Sequence, residues 1–278
     1  NLYKRIALIL AVVSVLATVL TGNAAADVVV TASGDPIEGA LVKLTAYPQY
    51  NGTTDVNGDY TINNVPVGSY FMLTTHPDYA PNITSINSTT GINIKNITLD
   101  VCRDNFSDVG CVFWGYVYVM YLYDNGVTSG YPDGTFKPDN QISRAETATF
   151  IVRAMNLTYT GGLTDFSDVP PTHWAYQYIM AAKQNGIVGG YPDGTFLPDN
   201  LVSRAEISVM VSRARGWSFS GIGVDFIDVP STHWSYPYVM TVKEKGVVGG
   251  YPDGTFLPDN RASRAETSVM TSRMRLWV

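Results

Sequence analysis

Three arginines stand in the same local setting in this 278-residue chain: Arg144, Arg204 and Arg264, each directly after a serine and two residues before a glutamate. Ser143, Ser203 and Ser263 with Glu146, Glu206 and Glu266 three positions on form capping boxes, so the spacing predicts a helix from each serine and puts each arginine in its first position. There the free backbone N–H groups and the positive helix end favour an anion. A guanidinium in that place can take a carboxylate through two parallel hydrogen bonds. Recognition of an acidic group is the chemistry this implies. Trp114, Trp174 and Trp234 recur at the same period and offer an apolar platform for a ring-shaped ligand, and Asp108, Asp168 and Asp228 offer acceptors for hydroxyl groups. Each residue also has a plainer reading: a tryptophan at a helix start is usually core, an arginine beside a glutamate is often an ion pair, and an aspartate before a helix is often a cap.

The elements that must position these residues repeat with them. A stretch reading Gly-Tyr-Pro-Asp-Gly-Thr-Phe-x-Pro-Asp-Asn-x-x-Ser-Arg-Ala-Glu begins at Gly130, Gly190 and Gly250, a strict 60-residue period that marks one supersecondary unit used three times. Tyr-Pro-Asp-Gly encodes a tight turn, with proline where φ near −65° is wanted and glycine at the end. Phe136, Phe196 and Phe256 follow the turns and are expected to be buried anchors. A helix before each turn is predicted from His173-Trp174 to Asn185-Gly186, with Trp174, Tyr178 and Ala181 on one face and the Asn-Gly pair as a left-handed stop.

Phe-x-Asp-Val, His-Trp-Ala, Gly-Ile-Val-x-Gly-Tyr-Pro-Asp-Gly-Thr-Phe-x-Pro-Asp-Asn and Ser-Arg-Ala-Glu together resemble the surface-layer homology (SLH) module, over residues 104–278. The resemblance implies an all-α bundle of three modules with pseudo-threefold symmetry, attached non-covalently to anionic, often pyruvylated, polysaccharide of the prokaryotic cell wall. It also implies grooves between modules that use the arginine, tryptophan and aspartate sets. Phe113 stands where the other two repeats have histidine, which weakens the first groove.

Residues 1–102 read differently. The N-terminus carries Lys4 and Arg5, an apolar run from Ile6 to Leu20 and an Ala-x-Ala sequence ending at Ala26, the pattern of a secretory signal peptide. Fifteen helical residues reach about 22 Å, short of a hydrocarbon core of roughly 30 Å. The competing reading keeps the segment as a helix in the core of a pilus-like filament or surface array, or as a membrane anchor, and makes the chain a homo-oligomer. Residues 27–101 alternate in short strands broken by Gly, Pro, Asn and Asp, which predicts an all-β sandwich. The phrases Gly-Asp-Pro-Ile-Glu-Gly-Ala-Leu-Val-Lys-Leu and Thr-Asp-Val-Asn-Gly-Asp-Tyr-Thr-Ile-Asn-Asn-Val-Pro-Val-Gly-Ser-Tyr resemble carboxypeptidase regulatory-like and Cna-B-type (transthyretin-like) domains, which serve as stalks or spacers. The resulting plan is an N-terminal segment (1–26), a β-sandwich (27–101) and three modules (102–160, 161–220, 221–278).

The formal charge of −6 is spread evenly and argues against nucleic acid. Cys102 and Cys111, a close pair in an exported chain, are expected to form a disulfide. Six Asn-x-Ser/Thr sequons, at Asn51, Asn82, Asn87, Asn96, Asn105 and Asn156, mark N-glycosylation candidates. Asp55-x-Asn57-x-Asp59 is similar to the start of a calcium loop but lacks the later bidentate glutamate, so a hairpin turn is the favoured reading. His76, His173 and His233 are scattered, and the chain has neither a nucleophile elbow nor a phosphate loop, so no enzyme, no cofactor and no metal centre are expected.

Overall fold

A computed structural model describes residues 24–276 apart from 32, 46, 90, 91, 94 and 222–224. The apolar run from Ile6 to Leu20 lies outside the described residues. Among the described residues eight strands come first: β1 (Ala24–Thr31), β2 (Leu41–Leu44), β3 (Asn51–Thr53), β4 (Asp59–Asn63), β5 (Gly68–His76), β6 (Tyr79–Ser88), β7 (Ile92–Asn93) and β8 (Ile97–Leu99). They form two four-stranded sheets, one ordered β4-β1-β7 with β8 also on β1, the other β3-β2-β5-β6. The alternation in sequence becomes the two faces of each strand. Val42 and Leu44 of β2, Tyr60 and Ile62 of β4, and Ile97 and Leu99 of β8 are buried in one core with Ile37, Ala40, Val65 and Met72. Asp55 Oδ1 accepts the amide N–H groups of Asn57 (2.8 Å) and Asp59 (3.0 Å), so the Asp-x-Asn-x-Asp segment builds a turn.

Cys102 is disulfide-bonded to Cys111 with Cα atoms 5.8 Å apart, at the passage from sandwich to helices. Beside it Arg103 holds Asp124 through two hydrogen bonds of 2.8 and 2.7 Å.

Six helices follow: α1 (Tyr116–Asp124), α2 (Arg144–Ala154), α3 (Tyr176–Gln184), α4 (Arg204–Ala214), α5 (Tyr236–Glu244) and α6 (Arg264–Leu276). Among the described residues no helix is long and apolar enough to cross a membrane. The predicted starts of α2, α4 and α6 are where the serines placed them. Ser143 and Ser203 close full capping boxes with Glu146 and Glu206, and Ser263 exchanges the same two bonds with Glu266. The shorter helices begin later than the sequence suggests. In the second module residues 171–175 are turns and α3 starts at Tyr176, which leaves Trp174 ahead of the helix and 59 % exposed instead of within it. Gly186 stops α3 with φ of +68°, as the Asn-Gly pair requires.

The helices do not pack within their own modules alone. Helix α2 lies on α3, α4 on α5, and α6 on α1, so each capped helix grips the first helix of the next module and the last module returns to the first. A triangle of backbone bonds ties the loops ahead of the capped helices: Ile142 N–H to the Ala262 carbonyl, Val202 N–H to Ile142, and Ala262 N–H to Val202, each 3.1 Å. Phe136, Phe196 and Phe256 have no exposed surface and pack on Phe106, Phe166 and Phe226 with ring centres 5.2–5.5 Å apart.

Tyr176 donates a 2.7 Å hydrogen bond to Asp165, which pushes its phenol up to about 12. A raised pKa favours the protonated folded state, so this contribution is whole below pH 10, the usual phenol value, and is lost as pH rises towards 12. Stability measured by urea titration is expected to decline through that window, and Tyr176→Phe to flatten the decline; an identical alkaline slope in the variant refutes the assignment.

Candidate functional site

The three arginines are buried, with only 7, 8 and 3 % of Arg144, Arg204 and Arg264 exposed. Each reaches into the following module. Arg144 donates from Nε to the Phe196 carbonyl (2.9 Å) and from Nη1 to Glu206 (2.6 Å). Arg204 does the same to Phe256 (2.8 Å) and Glu266 (2.5 Å), and Arg264 to Phe136 (2.8 Å) and Glu146 (2.7 Å). Aromatic rings back the guanidinium groups: Tyr191 and Phe196 at 5.1 and 4.8 Å from Arg144, Tyr251 and Phe256 at 5.0 and 4.6 Å from Arg204. The carboxylate that each arginine binds is thus a glutamate of the neighbouring module.

The helix openings are also occupied. The amide N–H of Arg144 donates to the Asn200 carbonyl (2.9 Å) and that of Ala145 to Pro198 (2.9 Å), and the other two modules repeat both bonds. The N–H groups expected to be free for a ligand serve the joint between modules. Asp108, Asp168 and Asp228 are similarly committed, each accepting two backbone N–H groups at 2.7–2.8 Å from the residues at 136–137, 196–197 and 256–257. They staple the loop after the turn to the start of the module.

The tryptophans behave otherwise. Trp114, Trp174 and Trp234 are 58, 59 and 57 % exposed, a large apolar surface left in water three times over. Two of them stand on cavities that all three modules build. Over α4, Arg144 from the first module, Tyr191, Glu206, Met210 and Arg213 from the second, and Trp234, Asp259 and Arg261 from the third enclose about 580 Å³. Over α6, Arg204, Tyr251, Glu266, Met270 and Arg273 face Trp114 around about 390 Å³. The stripe Glu206, Met210 and Arg213 follows from spacings of four and three on one helix face. By the 60-residue period Trp174 is the counterpart of these two tryptophans, and Phe150 of α2 is the counterpart of the methionine, its ring 5.5 Å from the Arg264 guanidinium.

A second arginine set, at 153, 213 and 273, is absent from the sequence-based candidates although the repeat period contains it. Arg153 and Arg273 are tied down: the first donates to the Val127 carbonyl and the Tyr178 hydroxyl, the second to Val247 and Tyr118. The arrangement can hold an anionic, ring-shaped ligand, with indole as floor and guanidinium edges as wall.

The sequon asparagines divide by exposure. Asn51, Asn87, Asn96 and Asn156 are exposed, whereas Asn82 and Asn105 are half-buried, Asn82 donating to the Thr98 carbonyl at 3.3 Å.

Residues 105–148, 165–207 and 225–268 match the S-layer homology domain, and residues 28–100 match the carboxypeptidase regulatory-like domain. Cell surface glycoprotein 1 of Acetivibrio thermocellus is 34 % identical over 157 residues, 52 % of this chain and 7 % of that protein. The cellulosome-anchoring protein of the same organism is 33 % identical over 153 residues, covering 52 % of this chain and 34 % of that protein. The surface layer protein of Brevibacillus choshinensis is 41 % identical over 103 residues, 36 % of this chain and 9 % of that protein. The chain therefore spans at most about a third of the length of these relatives. The chain thus carries three S-layer homology domains after one carboxypeptidase regulatory-like domain.

Proposed function

We propose that this chain is a structural protein of the prokaryotic cell surface, held non-covalently to cell-wall polysaccharide through its three S-layer homology domains. The observation that carries this reading is the exposed tryptophan set against a guanidinium-walled cavity built by all three modules. Exposed indole is costly in water and is covered when a pyranose ring lies on it. An acidic substituent, such as a pyruvate ketal, then meets the arginine edges. The relatives named as surface-layer, cell-surface and cellulosome-anchoring proteins support a place outside the cell. The carboxypeptidase regulatory-like sandwich acts as a spacer, and no catalytic role is assigned to the chain.

The test is sedimentation of the purified chain with cell walls that carry pyruvylated polymer. The chain is expected to pellet with them, and to stay in the supernatant when the pyruvate has been removed by mild acid. Equal pelleting with both preparations overturns the acidic-saccharide reading.

A further inference from the structure

The three grooves are built from one repeat, yet their cations are not equally available. Arg153 and Arg273 spend their guanidinium groups on a carbonyl and a tyrosine hydroxyl. The Arg213 side chain, at the same helix position, is exposed, has no hydrogen bond or ion pair among the described residues, and holds its guanidinium 5.5 Å from the Tyr238 ring. The rim differs as well. Arg261 lines the groove over α4, where the 60-residue period puts Gln141 and Leu201 at the other two. Its Nη1 donates to the Leu201 carbonyl (2.7 Å) and lies 3.9 Å from Glu206, and half of its side chain faces solvent. Across the opening Asp259 is 81 % exposed and sits 3.9 Å from His233, so its charge is turned mostly to solvent.

We propose that the groove over α4 is the principal site for the acidic saccharide, and that Arg213 and Arg261 set its strength; this rests on the reading of the grooves given above. A carboxylate reaching Arg213 displaces no hydrogen-bond or ion-pair partner among the described residues, whereas at Arg273 it competes with the Tyr118 hydroxyl and the Val247 carbonyl. Charge-assisted bonds are about twice as strong as neutral ones, so an uncommitted guanidinium contributes more net affinity. The cavity is also the larger of the two, at about 580 against about 390 Å³.

The experiment uses the full chain and a disaccharide bearing a pyruvate ketal, with the ketal-free disaccharide as control, in calorimetric titrations. Trp114→Ala, Trp174→Ala and Trp234→Ala each strip one groove of an equally exposed ring, so folding is not the variable. Trp234→Ala is expected to weaken the tightest binding step about tenfold, and the other two less than threefold. Arg213→Ala and Arg261→Gln, both at exposed positions, are expected to reproduce the loss together. Binding by the wild type with equal losses in all three tryptophan variants overturns the inequality and leaves attachment standing. Absence of ketal-dependent binding by the wild type overturns both.

Discussion

Arg264→Ala is expected to cost about 3–5 kcal/mol of folding stability, the range for removing one partner of a buried ion pair. Its side chain is 4 % exposed and its Nη1 lies 2.7 Å from Glu146, a residue 118 positions earlier. Nε caps the Phe136 carbonyl, and the rings of Tyr131 and Phe136 lie 4.6 and 4.7 Å from the guanidinium. Alanine leaves Glu146 with its charge and without its cation, and leaves the carbonyl unpaired in a site that water enters poorly. Glu146 also closes the capping box of α2 and accepts from Tyr131, so the loss spreads to the first module. Urea unfolding followed by circular dichroism gives the number; a loss under about 1 kcal/mol would show the pair to be decorative. The double variant Arg264→Ala/Glu146→Ala is expected to lose less than the two single variants summed, because the stranded charge goes too.

Gly190→Ala is expected to destabilise by about 2–5 kcal/mol, combining a left-handed backbone penalty with overpacking. Gly190 sits at φ of +71°, and a Cβ there would come within 2.4 Å of a ring carbon of buried Phe166 and 2.7 Å of the Thr195 carbonyl oxygen. Neither neighbour can step aside, since Phe166 is packed on Phe196 and the carbonyl accepts the Tyr191 N–H at 2.8 Å. Gly194, four residues on, also has positive φ but open space around it, so Gly194→Ala should cost clearly less in the same denaturation series. Equal losses at the two positions would mean that backbone strain alone explains the effect.

What could be read in advance was whatever is encoded within a few residues. The serine caps, the Tyr-Pro-Asp-Gly turns, the buried Phe196 and the alternation in β4 follow from local rules and appear in place. The partner of Arg144 could not be read that way, because Glu206 lies 62 residues on and the Glu146 beside it was the nearer candidate. The same distance hid the fate of the helix-opening amides, which carbonyls of the next module satisfy. Periodicity places Trp174 inside a helix with Tyr178 and Ala181, but the helix begins two residues later and the ring stands outside it, in keeping with the platform reading and not with the core one. Arg213 was missed although it repeats at the same interval, since its difference from Arg153 and Arg273 lies in hydrogen bonding and not in residue type.

Most arrays of short repeats are open rods: each unit touches the one before and the one after, stability grows nearly unit by unit, and the two ends need caps. Here α6 packs on α1 and Ile142 donates to the Ala262 carbonyl, so the first unit and the last are neighbours. Such a ring has no terminus from which to fray, and deleting any one unit exposes two raw faces at once. Loss of structure in the helical half is therefore expected to be all-or-none, without yielding by stages.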